Sequence, residues 1–203
     1  MLNRGNMSKH DAVNIMLSVI GEVPLSDTAP HADYAAAEHI LDAVTLSVEC
    51  EGWYFNEVKN VELKRENDGY FYAPNGFINY DVEVNSEINI QIIEDNEGRL
   101  VNAMDGLTGE IPDKLYVSGI LFIPFEKLPE PAKTYIVTKA ARRFQAEMVG
   151  SETLFGFSKV DEVMTRAALM RAQVKNTDVS YLSGMRNTPL GHRTMQGILN
   201  RRI

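Results

Sequence analysis

The residues best suited to chemistry in this sequence are carboxylates. Asp81, Glu83, Glu87, Glu94 and Asp95 fall in or beside a run of short predicted strands. Two carboxyls at the right separation suffice for glycoside hydrolysis, one protonating the leaving oxygen while the other attacks or activates water. Yet the stretch from Glu57 to Asp113 holds 13 acidic and 4 basic residues, a net of −9. Acids that dense make many chance pairs. Tyr70, Phe71 and Tyr72 are the one evident aromatic platform nearby for a sugar.

The other reactive types are scattered. His31 and His39 stand eight residues apart, His10 and His192 are isolated, and no His-Glu-x-x-His occurs. Metal binding needs converging ligands, and this spacing offers none. The single cysteine, Cys50, rules out an intrachain disulfide and a thiolate zinc cluster, which suits a reducing cytoplasm. A nucleophilic cysteine needs a neighbouring base and a stabilised thiolate, and flanking Glu49 and Glu51 supply neither. The Asn-Gly and Asp-Gly pairs lie between alternating residues, as in hairpin turns, and do not form a phosphate loop. No cofactor is expected, and no catalytic or metal residue is assigned. Trp53, Tyr54 and Phe55 are the densest aromatic cluster. At a helix end leading into a strand they read as an anchor, together with Ile136 and Phe144 further on.

The elements that position these residues follow from periodicity. Ser8 and Asp11 make a capping-box-like start, and Val13, Met16, Leu17 and Ile20 follow at helical spacing until Gly21 and Pro24. A second helix is predicted from about Ala32 to Cys50, its apolar stripe running through Ala36, Ile40, Ala43 or Val44, and Leu46 or Val48. From Glu57 the period shortens. Val58 and Val61, Tyr70–Tyr72, Val82 and Val84, Ile88–Ile93, Leu100–Ala103 and Leu115–Ile123 read as strands of one small antiparallel sheet, separated by Gly-containing turns. Pro131 opens a third helix, with Ile136, Val137, Ala140, Phe144 and Met148 as its buried stripe, ending at Gly150. A fourth is predicted over about 160–174, with Val160, Met164, Ala167 and Val174 on one side and Arg166 and Arg171 elsewhere. Beyond Lys175 the periodicity fades into a stretch bearing Arg186, Arg193, Arg201 and Arg202, read as an arm that orders on binding.

The fold class is therefore α+β: a four-helix body with an inserted small antiparallel β-sheet and an extended C-terminal arm. The expected divisions are 1–56 for the N-terminal helices, 57–123 for the β region, 124–177 for the C-terminal helices packing on the first pair, and 178–203 for the arm. With 203 residues, 44% hydrophobic and 24% charged, the chain can bury a core without metal or disulfide. No apolar run is long enough to span a bilayer, and Met1–Ser8 lack a signal-peptide core. Met7 reads as an alternative start, with a disordered extension before it. The net charge of −8 argues against tight DNA binding, while residues 176–203 carry a net of +3, so two surfaces with different partners are expected.

Three segments in register carry a resemblance. They are Ala12-Val13-Asn14-Ile15 with Leu17 and Ile20-Gly21-Glu22; Gly52-Trp53 with Phe55-Asn56; and Tyr135–Ala140 with Arg142 or Arg143 and Phe144. Over residues 8–150 their order and spacing resemble the tail tubular protein A family, the adaptor or gatekeeper proteins of short-tailed phages (podoviruses). The resemblance implies a virion structural protein and not an enzyme. It implies a self-assembled ring, usually of twelve copies, between the portal protein and the nozzle of tail tubular protein B, near the tail fibres. Genomic DNA would pass through without specific binding, in a tail assembled in the host bacterial cytoplasm. On that basis Arg186, Arg193, Arg201 and Arg202 are expected to bind the portal, and Asp81, Glu83, Glu87, Glu94 and Asp95 to face the channel or nozzle. The alternatives are a head–tail connector of a long-tailed phage and a glycan-hydrolysing tail component with paired carboxylates.

Overall fold

The computed structural model describes residues 6–26, 32–84, 92–103, 111, 113–150 and 152–187, with side chains for all of these except 84, 152–158 and 178–187. The chain forms two compact units, Met1–Val44 with Leu128–Ile203, and Thr45–Lys127.

The first unit is helical. Helix α1 (Lys9–Val19) starts as the sequence predicts: Ser8 Oγ accepts from the Asp11 N–H, and the Asp11 carboxylate accepts from the Ser8 N–H. This reciprocal pair satisfies two of the N–H groups that a helix start leaves over. Ala12, Val13, Met16 and Leu17 form its buried face. Helix α2 (Ala32–Glu49) buries Ala37, Ile40, Leu41, Val44 and Val48, whereas Leu46 is exposed. His10 is not isolated, contrary to expectation. Its ring nitrogens lie 3.1 Å from Tyr34 Oη on α2 and 3.0 Å from the Leu25 carbonyl, so it ties α1 to the next helix and to its own exit loop.

Helix α3 (Glu130–Met148) buries Ala132, Tyr135, Ile136, Ala140 and Phe144 along one face. Met148 departs from the expected stripe and is exposed, because the last turn runs out to Val149 and Gly150, which exits at φ 65°. Lys133 is fully buried. Its Nζ donates to Asn6 Oδ1 at 2.7 Å and to the Met7 carbonyl at 2.8 Å, so the chain before α1 is clasped from Asn6 onward. A buried ammonium is tolerated only when its donors are used in this way. The other early residues of the expected extension, 1–5, lie outside the described residues.

Helix α4 (Glu152–Asn187) is far longer than the 160–174 segment predicted, so the arm does not begin at residue 178. The prediction failed because it required an amphipathic stripe with a buried face. Here only Leu169 is fully buried along the helix's described side chains.

The second unit takes in the end of α2 and the β region. Strands β1 (Glu57–Leu63), β2 (Phe77–Val84) and β5 (Leu115–Leu121) form an antiparallel sheet in the order β1-β5-β2. Strands β3 (Ile92–Glu94) and β4 (Leu100–Asn102) pair separately around the Asn96-Glu97-Gly98 turn, so the expected single sheet is two. The predicted strand at Tyr70–Tyr72 contributes one bridge, Tyr72 to Arg99, and residues 88–91 of the predicted Ile88–Ile93 strand lie outside the described residues. Phe71, Leu100 and Leu115 are the buried centre, with Leu63, Tyr80, Val82 and Ile92 packed around them.

Two backbone positions shape the three-stranded sheet. Asn60 sits in the left-handed region at φ 58°, in the bulge between Val58 and Val61, and its N–H donates to Ser118 Oγ at 3.0 Å. Asn tolerates this conformation better than most residues, and bulges increase local twist. Gly119, on the central strand, has no room for a side chain: a Cβ there would lie 2.4 Å from the Asn79 carbonyl oxygen and 2.7 Å from Tyr80 Cα. Both obstacles are backbone, so they cannot swing aside. Gly119→Ala is expected to cost on the order of 2–3 kcal/mol through overpacking, read as a lower urea midpoint with the far-UV spectrum of the helices retained.

Candidate assembly surfaces

The Gly52-Trp53-x-Phe55-Asn56 segment builds the corner where α2 gives way to β1. Gly52 takes φ 73°, and its N–H donates to the Glu49 carbonyl. Asn56, fully buried, then closes the turn from both sides. Its Oδ1 accepts from the Trp53 N–H at 2.8 Å, and its Nδ2 donates to the Glu49 carbonyl at 3.0 Å. Trp53 Nε1 donates to the Val48 carbonyl at 2.8 Å, which satisfies another orphan carbonyl of the helix end. Of the three aromatic residues named as an anchor, Trp53 is buried, while Tyr54 and Phe55 are half-buried and meet edge to face at 5.2 Å. Ile136 and Phe144 lie fully buried in α3.

Beside this corner lies a group the sequence reading passed over. Glu49 is fully buried; its Oε1 accepts from the Ile123 N–H at 3.1 Å, and its Oε2 has no hydrogen-bond partner. Burial pushes its carboxyl up to about 7, and the Ile123 N–H offsets only part of that. No motif flags such a residue. Its one signal is a position one turn after Thr45 and next to Val48 on the buried side of α2.

Of the five acidic residues named as channel or nozzle candidates, the four among the described residues do not form one cluster. Asp81 and Glu83 share the exposed face of β2 with Asn79. Glu94, on β3, accepts from Tyr80 Oη at 2.9 Å. Asp95 is consumed by its own turn. It accepts from the Glu97 and Arg99 N–H groups at 2.8 and 2.9 Å and from Arg99 Nε at 2.8 Å, which together hold its carboxyl below the usual range despite some desolvation. That shift is opposite to what a glycosidase general acid requires. Glu87 lies outside the described residues, as does His31. Among the described residues no group of His, Cys, Asp or Glu converges as a metal site.

Of the four arginines named for portal binding, Arg186 is in the last turn of α4, so its backbone is helical and not part of a loose arm. Arg193, Arg201 and Arg202 lie outside the described residues. The rest of α4 is held to α3 by Leu169, by the Arg142–Glu162 ion pair at 2.5 Å and by Arg166, which donates to Tyr135 Oη at 3.0 Å. A second side of α4 is apolar and open: Val160, Val163, Met164, Met170 and Val174 are each between 47% and 64% exposed. Next to it a groove of about 360 Å³ runs between α1, α3 and α4, lined by Ile15, Val19, Val137, Ala141, Asp161 and Met164 among others. Exposed apolar side chains grouped in this way are a feature of interaction surfaces and ligand grooves.

A family profile described as "Tail tubular protein" matches residues 10–179. No curated protein matches the chain.

Glu49 gives a pH prediction. Its folded carboxyl binds a proton more tightly than the unfolded one, so its contribution to stability is complete below about 4.5 and is lost as pH rises through about 7. Glu49→Gln keeps an acceptor for Ile123 and stays neutral. The variant is expected to be more stable than the parent at pH 8, by an amount on the order of 2–3 kcal/mol, and to match it near pH 4.5. Chemical denaturation at the two pH values checks this.

Proposed function

Since the chain belongs to the tail tubular protein family and is a structural component of a phage virion tail, we propose that it forms the adaptor ring joining the portal to the tail nozzle and continuing the DNA exit channel. The observation that carries this reading is the form of α4. A helix of 36 residues, about 54 Å long at the usual rise, packs one side on its own unit, leaves another apolar side open and leads into the most basic stretch of the chain. Such an element suits a protein whose final structure is completed by its neighbours.

The partners follow from the charge map. A ring, usually of twelve copies in proteins of this kind, places −8 per copy around the channel. A negative lining repels phosphates and lets DNA slide where a basic lining would hold it. Asp81 and Glu83, exposed on one strand face, with Glu94 and Glu87, are the carboxylates for the channel or nozzle side. Asp95, tied into its turn, is not. The nozzle protein and the tail fibres would meet the β unit. The arginines Arg186, Arg193, Arg201 and Arg202 dock on acidic grooves of the portal through charge-assisted hydrogen bonds.

Because α4 continues to Asn187, the informative truncation removes residues 188–203 and leaves the helix whole. Combined with Arg186→Ala, it is expected to retain the parent's helical circular dichroism and thermal midpoint and to lose capture by immobilised portal protein. Undiminished capture would overturn the assignment of the arginines.

A further inference from the structure

We propose that neighbouring copies of this chain meet through α4 of one copy and the α1 side of the next, with the open apolar seam of α4 seated against the exposed ridge of α1 and its adjoining groove. The inference rests on the ring reading above and names the surfaces that would make the ring.

The seam has helix-pairing geometry. Val160, Val163, Ala167, Met170 and Val174 follow one another at intervals of three and four residues, the spacing of a seam that packs against another helix. They lie on a different side of α4 from Leu169, Glu162 and Arg166, which face α3. No described residue of the same chain covers them. Lys159, Arg171 and Lys175, all exposed, border the seam, and Met170, Arg171, Val174 and Lys175 together line a shallow depression. The seam therefore has an apolar floor and a basic rim.

A basic rim selects the partner surface. Two α4 seams set face to face would bring Arg171 and Lys175 against their own kind, which disfavours symmetric pairing. The α1 side offers the complement. Asp11, Ile15 and Val19 recur every four residues on one ridge of α1, and Glu22 and Val23 follow at its end. Ile15, Val19 and Val23 are exposed, so this strip too is apolar and open. Asp11 and Glu22 give it an acidic border, and the adjoining groove adds Asp161 beside Arg142, whose guanidinium is already paired with Glu162. Asp11 is charged at neutral pH, since the Ser8 hydroxyl and N–H hold its carboxyl below the usual range. The two complementary surfaces are distinct patches carried by different helices of one unit, and such head-to-tail contacts propagate from copy to copy and can close a ring.

A reciprocal charge swap tests this on the full-length chain. One variant carries Arg171→Glu with Lys175→Glu; the other carries Glu22→Lys with Asp161→Lys. Neither touches the α1 capping box or the α3–α4 contacts. In each variant alone like charges face each other, and self-association measured by light scattering, with and without portal protein, is expected to fall at least tenfold. Mixing the two restores complementary pairs at every contact, and assemblies alternating between the variants are expected to return. Circular dichroism of each variant must match the parent; should either unfold, Val163→Ser with Met170→Ser replaces it and is expected to lose assembly equally. Unchanged self-association of each variant alone, no recovery on mixing, or a parent that does not self-associate with or without portal would each overturn the proposal. Portal capture separates the two readings: a parent that binds portal without this contact leaves the adaptor function standing, and a parent that assembles through it yet ignores portal does the reverse.

Discussion

The turn made by Asn56 is the interaction on which the β unit depends. An α-helix that ends inside a core leaves carbonyls needing donors, and here Val48 and Glu49 receive theirs from Trp53 Nε1 and from Gly52 and Asn56. The same three donors, Gly52, Trp53 and Asn56, set the direction in which β1 leaves. Glu49 adds a second tie, from the end of α2 to the chain leaving β5 at Ile123, so the beginning and the end of the three-stranded sheet converge on one helix terminus. The cost is a carboxyl kept in a site that favours its neutral form. A buried group that gains one hydrogen bond and leaves one oxygen bare holds a connection in place at the expense of stability above neutral pH.

How much of this was legible in the sequence depended on whether the signal was local. Ser8 with Asp11, Pro131 at the start of α3 and Gly150 at its end all act within a single turn, and the structure realises each as expected. The Gly52–Asn56 segment was visible as a pattern, and Asn56's two hydrogen bonds close within it, but Glu49's burial was not visible, because it depends on chain brought back from β5. Sheet order escaped for the same reason. Nothing local says that β5 lies between β1 and β2, and the tightest packing, at Gly119 against the Asn79 carbonyl, is made by strands far apart in sequence. Two sheets were read as one because a short run such as Leu100–Asn102, buried throughout, marks a strand without specifying its neighbour.

The candidate surfaces were misread in an instructive way. Periodicity identifies an apolar face of a helix and is silent about what covers it. The Val160–Val174 side of α4 was recognised as apolar, yet it is the exposed side; what packs on α3 is Leu169 with the ion pair of Glu162 and the hydrogen bond of Arg166. For the acidic residues the error ran the other way. Asp95 was grouped by charge with Asp81 and Glu83, but an Asp four residues before an Arg across an Asn-Glu-Gly turn is a turn-builder, and its carboxylate is spent on Arg99 and two N–H groups. Only Asp81 and Glu83 are side by side on an open strand face.

These features bear jointly on when the protein assembles. An apolar seam left open on a soluble chain invites indiscriminate association, and natural surfaces restrain this by bordering such patches with charge. In the contact proposed above, the border of the α4 seam (Lys159, Arg171 and Lys175) is basic and that of the α1 strip (Asp11 and Glu22) is acidic, so identical faces would repel and unlike faces attract. That arrangement opposes closed symmetric pairs and favours a directional chain of contacts. Because the bordering charges are solvent-exposed, their contribution is screened at physiological ionic strength, with a Debye length of about 8 Å. The apolar floor must then supply most of the affinity, and the charges mostly choose the register. A contact of this kind is weak between two copies and firm once copies are held in order on a template, as the ring proposed above would be on a portal.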